Sequence, residues 1–464
     1  MQTTVQTFAK IDPATGERIA EIPVTSPSEV HAAIRRAREA SETWAALPFG
    51  TRAELLIQGG ELLKERAEEV ARLVTLEMGK VFGDALREAK GWAGNVSGLM
   101  EEVARACETE VLQGTGTQTH LVREPHGVVA AITPWNFPVG MPLEIVLPAL
   151  AAGNTVVFKP SEHVPQTGAA LAEIFGGFLP DGVLELVQGD GSVGAELVAG
   201  DIDMVGFVGS RATGIRIMES AAKDLKRLVL ELGGKDPLIV FADADLEEAA
   251  EVCVKHSLRN TGQVCCSVER VYVAESVAGA FEALVVERAR EWNHGSGFED
   301  GVKMGPMVSA EQRAKVEVQV KDAVQSGARL LLGGETPQGP GYFYPATVLA
   351  DVGPAAAMSR EETFGPVVSL TVFDGTEEAA IRLANDTPYG LGANVFTRDT
   401  ERAMRVARSI RSGQVGINQY LGSAPGAPWV GARQSGFGYL GGLDGHRQFT
   451  VPKSISFPTE PDAS

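Results

Sequence analysis

GVVAAITPWNFP (Gly127–Pro138) and GNTVVFKPSE (Gly153–Glu162) each open on an unbroken apolar run of strand length and close on polar residues. A strand that alternates polar with apolar residues has one wet face; one that is apolar throughout is covered on both. Helical text lies between and after them, at about 142–152, 167–178 and 192–199, with apolar runs at 182–189, Met204–Val208 and Leu228–Leu230. Strand–helix alternation with fully apolar strands predicts an α/β protein built on a parallel, doubly wound sheet. Such sheets bind ligands beyond the carboxyl ends of their strands, so the residues that just follow each run are the ones to weigh.

Working upstream, residues 27–45 and 51–78 carry apolar positions three and four apart and predict two outer helices. Ser26, Pro27 and Glu29 supply an N-cap, an opening proline and the acid of a capping box. A third helical pattern runs from Val81 to Cys107, and Glu110–Arg123 then turns to Thr-rich alternation broken by Gly114 and Gly116, a polar hairpin. Its open edge calls for solvent or a partner chain, and a partner is expected. The late Phe449–Phe457 run alternates and reads as a strand able to pair with the hairpin of a neighbour.

Composition narrows the partners. At 464 residues the chain holds two or three domains, and a net charge of −19, from 60 acidic against 41 basic residues, excludes nucleic acid and anionic membrane. Cys107, Cys253, Cys265 and Cys266 have neither disulfide-framework nor zinc spacing, so no metal is expected and reduced thiols in the cytoplasm fit. The first residues lack the pattern of a signal peptide, and no apolar stretch reaches the length of a membrane span.

Several strand ends carry chemistry. Trp135 and Asn136 follow the first, Lys159 and Glu162 the second, and Phe207-Val-Gly209-Ser210-Arg211 leads into a helix whose first N–H groups can hold a phosphate. Gly-Ser before a helix is equally an ordinary cap, and Lys159 with Glu162 equally a surface ion pair. Leu228–Leu230 leads into Glu231-Leu232-Gly233-Gly234, where desolvation raises a carboxyl toward the range of a general base. The bland alternative is a Glu that caps the next turn. Cys265, in Asn260-Thr-Gly-Gln-Val-Cys-Cys266, sits between a Gly-Gln turn and the strand-like Val268–Val273, a place that aims a nucleophile. A cysteine beside Val is otherwise a small buried hydrophobe. Glu361-Glu362-Thr-Phe364-Gly-Pro adds two acids and an aromatic to a later loop.

PWNFP, GNTVVFKPSE, FVGS, LELGGKDP, GQVCC, EETFGPV and APWVGARQSGFG, in that order, resemble the aldehyde dehydrogenase superfamily from about residue 9 to 457. The 34 positions from Glu231 to Cys265 (265 less 231) fit as well. The resemblance implies a Rossmann-type cofactor domain (1–107 and 125–230), an α/β catalytic domain (231–433) and small β oligomerisation strands (108–124 and 447–460) in a homodimer or homotetramer. It implies oxidation of an aldehyde to the acid with NAD as hydride acceptor, NADP being second choice. Cys265 is then the nucleophile, passing through a thiohemiacetal and a thioester; Asn136 with the Cys265 N–H binds the oxyanion; and Glu231 activates water. By the same analogy Trp135, Lys159 and Glu162 meet the adenosine ribose, and Phe207, Gly209 and Ser210 the pyrophosphate. Leu232, Glu362 and Phe364 meet the nicotinamide end. A carboxylate at Glu162 repels a 2′-phosphate, although Lys159 and Arg211 could compensate.

The chain departs from this pattern at its N-terminus, where the first strand carried by many members is missing, and at Glu144-Ile145, where relatives often have Trp-Lys. If Glu144 lined the channel beside Phe137, Met141, Val264 and Trp429, neutral aliphatic or aromatic aldehydes would be favoured. Two rivals are a cysteine hydrolase, for which only His256 is near the thiol in sequence, and a non-catalytic protein on the same fold. Coenzyme-A acylation is disfavoured by the presence of Glu231.

Overall fold

The computed structural model describes residues 6–422 and 424–459, so residues 1–5 and 460 of the expected spans lie outside it. It opens on an antiparallel hairpin, β1 (Thr7–Ile11) and β2 (Arg18–Pro23), which the periodicity reading did not anticipate. Four helices follow: α1 (Pro27–Ala45), α2 (Phe49–Glu65), α3 (Ala67–Met78) and α4 (Phe82–Ala106). The capping box forms as read, with Ser26 and Glu29 each bonded to the other's backbone N–H. The continuous helix expected over 51–78 is instead two, because Arg66 leaves helical geometry at φ −95°, ψ 10° while its guanidinium spans Glu69 and Glu173.

The hairpin β3 (Glu110–Gly114) and β4 (Thr117–Pro125) precedes a six-stranded sheet. Its strands are β5 (Val128–Ile132), β6 (Thr155–Lys159), β7 (Leu184–Leu186), β8 (Met204–Val208) and β9 (Arg227–Glu231), joined late by β18 (Gly436–Phe437). The order is β7-β6-β5-β8-β9-β18, parallel except for β18, with α5 (Gly140–Ala151), α6 (Pro165–Gly176), α7 (Gly191–Ala199) and α8 (Arg211–Ala221) as crossovers. The chain winds outward both ways from β5, which makes the β5–β8 boundary the crevice where a ligand binds.

A second sheet of seven strands comprises β10 (Asp236–Val240), β11 (Val268–Ala274), β12 (Arg329–Leu332), β13 (Thr347–Ala350), β14 (Val367–Phe373), β15 (Gly392–Phe396) and β16 (Gln414–Ile417). Only β12 runs against its neighbour. Helix α9 (Leu246–Leu258) leads into the Cys265 loop. The strands of this sheet are entered through the loops that carry Cys265 and Phe364, and those loops face the carboxyl ends of the first sheet's strands, so one cleft collects both.

A short pair, β17 (Trp429–Val430) and β19 (Tyr439–Leu440), brackets β18, and β20 (Thr450–Pro458) ends the described chain. β20 pairs with β4 of its own chain along its whole length, Thr450 opposite Pro125 and Pro458 opposite Thr117. The tail therefore completes its own hairpin rather than a neighbour's, and β3 keeps a free outer edge on which Val111 and Leu112 are half exposed.

Candidate active site

The Cys265 loop is held in an unusual conformation. Asn260, Thr261 and Gly262 all have positive φ (51°, 58° and 70°), a left-handed run that L-residues avoid at a cost of about 1–3 kcal/mol each. Side chains hold it there: Asn260 Nδ2 donates to the Asn136 and Gln263 carbonyls (3.2 and 3.1 Å), and Thr261 Oγ1 to the Gly305 carbonyl (2.9 Å). Gly262 has no alternative, since a Cβ there would lie 2.0 Å from the Gly365 carbonyl oxygen. The loop thus delivers Cys265 against the Phe364 segment.

Cys265 lines a cavity of about 170 Å³ together with Asn136, Glu231, Leu232, Glu362 and Phe364. These six come from four stretches distant in sequence: Asn136, Glu231 with Leu232, Cys265, and Glu362 with Phe364. Asn136 is 5% exposed; its amide donates to the Gln263 carbonyl at 3.1 Å, which fixes the side chain and leaves its second N–H free. Among the described residues the Cys265 backbone N–H has no acceptor.

Glu231 closes β9 with 3% exposure, and neither carboxyl oxygen has a hydrogen-bond partner among the described residues. Burial and then the Glu144 charge raise it well above the usual carboxylate range. The Trp429 indole and the Gly431 N–H oppose that shift without making bonds of normal geometry. Ser435, inside the APWVGARQSGFG stretch but given no role there, holds the turn after Glu231: its carbonyl takes the Leu232 N–H (2.8 Å) and its hydroxyl donates to the Gly233 carbonyl (2.7 Å).

The two vicinal thiols differ. Cys265 is raised well above a free thiol, by its contact with Cys266, then by burial and the Asp236 and Glu231 charges. Cys266 is lowered to about 6 by the hydrogen bond from Cys265, with the Arg259 charge and the Tyr420 hydroxyl (3.0 Å from Sγ) in support. Only Cys265 lines the cavity with Asn136 and Glu231; Cys266 faces Tyr420 and Arg259. His256 stacks its ring on Tyr420 (3.4 Å, 7°), and burial holds it neutral, down to about 3. It lines none of the cavities around Cys265, so the imidazole a cysteine hydrolase requires is not in place.

The Phe364 segment is anchored by a pair that sequence reading missed. Lys235 and Glu269, both under 5% exposed, are ion-paired at 2.6 Å, and the Glu269 carboxylate also accepts the Thr363 and Phe364 N–H groups (2.8 and 2.9 Å). That grip holds Phe364 at φ 54° and edge-on to Trp135, ring centroids 5.5 Å apart. Burial and the Glu269 charge raise Glu362 to about 7, and its Oε1 accepts the Gly234 N–H at 3.1 Å. A signal was present, because Lys235-Asp236 and Glu269-Arg270 are charged pairs that lead into or lie within apolar strand text.

Beyond Trp135 the crevice widens to about 530 Å³, lined by Lys159, Glu162, Phe207, Gly209 and Ser210. Ser210 caps α8 through its hydroxyl, and the start of that helix faces the crevice. A Cβ at Gly209 would lie 2.4 Å from the Phe207 ring and one at Gly233 2.2 Å from Glu362, so the backbone here is cleared for close approach. Lys159 Nζ lies 3.9 Å from Glu162, whose side chain is 41% exposed. A dinucleotide fits this donor set: a carboxylate for ribose hydroxyls, a helix start for pyrophosphate, and an aromatic wall for the nicotinamide end.

A third cavity, about 790 Å³, meets the thiol cavity at Phe137, whose ring lines both. Phe137, Val264, Leu421 and Trp429 pack around Cys265 as an apolar collar. Past the collar stands Arg259, 5.0 Å from the Tyr420 ring, with Nη2 3.3 Å from its hydroxyl. Its buried Nε has no partner, and no carboxylate pairs with it among the described residues. Lys80, Arg87 and Lys303 in the same cavity are each paired, with Glu88, Asp84 and Glu291. Glu144 lines neither this cavity nor that of Cys265; it stands against Gly441, raised to about 7 by burial and by Glu102.

The model of the aldehyde dehydrogenase family matches residues 1–455. The chain is 38% identical over 435 residues to the NADP(+) succinate-semialdehyde dehydrogenase of Escherichia coli, covering 93% of this chain and 90% of that protein. It is 37% identical over 467 residues to the betaine aldehyde dehydrogenase of Bacillus subtilis (98% and 94% covered). The crystal structure of lactaldehyde dehydrogenase from Escherichia coli superposes with a TM-score of 0.95 at 36% identity, covering 98% and 96% of the two chains.

Proposed function

The chain belongs to the aldehyde dehydrogenase family and oxidises an aldehyde to the carboxylic acid with NAD or NADP, and we propose that Cys265 is its nucleophile. The observation that carries this is the convergence of one thiol, one unpartnered carboxyl and one free amide N–H on a single small cavity. Cys265 Sγ adds to the aldehyde carbonyl as the thiolate, its proton passing to solvent, so that Glu231, which shares the cavity, is left ionised for the second step. The oxyanion is held by the Asn136 amide and the Cys265 N–H, a donor pair of which each member contributes about 3 kcal/mol. The bound nicotinamide supplies the hydride acceptor. Glu231 then takes a proton from water as that water attacks the thioester, releasing the acid and the free thiol.

NAD is the proposed cofactor. Glu162 faces the ribose crevice, and a 2′-phosphate at about 4 Å from a carboxylate costs about 1–4 kcal/mol across the dielectric range of a surface cleft. The expected kcat/KM ratio favours NAD by at least about tenfold, and Glu162→Gln should narrow it; a wild-type preference for NADP would refute the reading.

For the substrate, the collar and Arg259 together suit an aldehyde with a short apolar chain and an anionic end, which revises the expectation built on Glu144. The guanidinium is half-buried, with Nη2 bonded to the Tyr420 hydroxyl, Nε buried without a partner, and no carboxylate of its own among the described residues, a state a substrate carboxylate would relieve. Arg259→Gln is expected to lower kcat/KM for a carboxylated aldehyde by roughly 30- to 150-fold, the worth of a charged hydrogen bond of about 2–3 kcal/mol, and to leave a neutral aldehyde of equal length within about threefold. Equal losses on both substrates would remove Arg259 from recognition. We further read the half-exposed Val111 and Leu112 on the free β3 edge as a contact in a homodimer or homotetramer, measurable by light scattering, and place the enzyme in the cytoplasm, where its four unpaired thiols stay reduced.

A further inference from the structure

The oxyanion donor sits on a turn whose start is tied to the thiol loop, through the Asn136 amide and carbonyl, and whose end leads into a helix. Asn136 is followed by Phe137-Pro138-Val139, and α5 begins at Gly140 with no side-chain cap of its own. The first N–H groups of a helix need an acceptor when they are buried. The acceptor comes from another helix: Glu88, on α4, takes the Val139 and Gly140 N–H groups on one oxygen (3.1 and 2.8 Å). Its other oxygen is paired with Lys80 Nζ. Both side chains are sealed, Lys80 at 2% and Glu88 at 8% exposure, and Lys80 Nζ also lies 4.1 Å from the centroid of the Phe137 ring. Gly140 is pressed to this helix as well, since a Cβ on it would lie 2.7 Å from Trp92 Nε1.

We propose that Glu88, neutralised by Lys80, is a positioning residue that fixes the Asn136 turn and so keeps the oxyanion-binding amide on target. The inference rests on the assignment of Asn136 as oxyanion donor. The turn is gripped from two directions: Asn260 holds the Asn136 carbonyl from the thiol loop, while Glu88, on α4, holds the Val139 and Gly140 N–H groups and Lys80, just before α4, the Phe137 ring. Neither Glu88 nor Lys80 lines the thiol cavity, although both line the larger cavity at Phe137, so the effect is read on a neutral aldehyde, which offers a freed Lys80 charge no carboxylate to act on.

The test is a double-mutant cycle between Glu88→Gln and Asn136→Ala, read in the pre-steady-state rate of NADH formation, with NAD affinity and thermal melting measured on each variant. Glu88→Gln is expected to slow that step by about 10- to 100-fold, less than deletion of the donor itself, and to leave NAD affinity unchanged. Added to Asn136→Ala it should slow the reaction little further, because the two act as one unit. Losses that multiply would overturn the positioning role, as would an unchanged rate in Glu88→Gln. Full activity in Asn136→Ala would instead overturn the oxyanion assignment beneath it. Glu88→Asp, which keeps the charge for Lys80 but withdraws it by one methylene, covers the case in which the amide variant does not fold. It should melt near the wild type yet show the same non-additive slowing, and wild-type speed in it would refute the proposal.

Discussion

Cys265→Ala should form no NADH from any aldehyde above a background about four orders of magnitude below the wild type, while NAD binds as before. The size follows from removal of a covalent nucleophile, for which no other group in the cavity substitutes. Cys266 is the obvious candidate to take over, and its thiol is the more acidic of the two. It faces Tyr420 and Arg259, however, away from Asn136, so an adduct formed on it would have no oxyanion donor. NAD affinity is expected to hold because the ribose crevice does not include Cys265. Calorimetry and stopped-flow absorbance together decide the matter. Appreciable turnover in Cys265→Ala, lost when Cys266 is also replaced, would exchange the roles of the two thiols.

Glu231→Gln is expected to give a burst of NADH of about one equivalent per site, then a steady rate lower by roughly 10²- to 10⁴-fold, the span of general-base catalysis. The acyl-enzyme should be visible by mass spectrometry as a mass added to the peptide that carries Cys265. The pH dependence carries a sign. Desolvation lifts the Glu231 carboxyl well above its usual range, and only its ionised form accepts a proton. Deacylation in the wild type therefore rises with pH through that raised value, and the slope should vanish in Glu231→Gln. A variant without a burst and without an acyl-enzyme would mean that Glu231 is also needed to deprotonate Cys265.

Much of this could be read before any coordinates. The apolar strands at 128–132, 155–159 and 204–208 are buried throughout, and that is why their text is so uniform. Trp135, Lys159, Glu162, Phe207, Gly209 and Ser210 sit where strands end, a local property that spacing reveals. What escaped was non-local. Lys235–Glu269 and Lys80–Glu88 are pairs whose members look like stray charges until the chain folds, and Glu88 is one charge among many on an amphipathic helix. Arg259 hid for a related reason: the substrate expectation was built on Glu144 in the helix after Asn136, whereas the cation stands six residues before the thiol. The break at Arg66 depends on acids in two different helices, which periodicity within one segment does not register.

The cavity at Phe137 and the crevice at Trp135 reach the thiol from different sides, with separate linings. Traffic through the enzyme is thereby divided into two lanes. On the proposed assignment an aldehyde would arrive, and its acid depart, without the dinucleotide vacating its berth, so among the described residues nothing forces one product to queue behind the other.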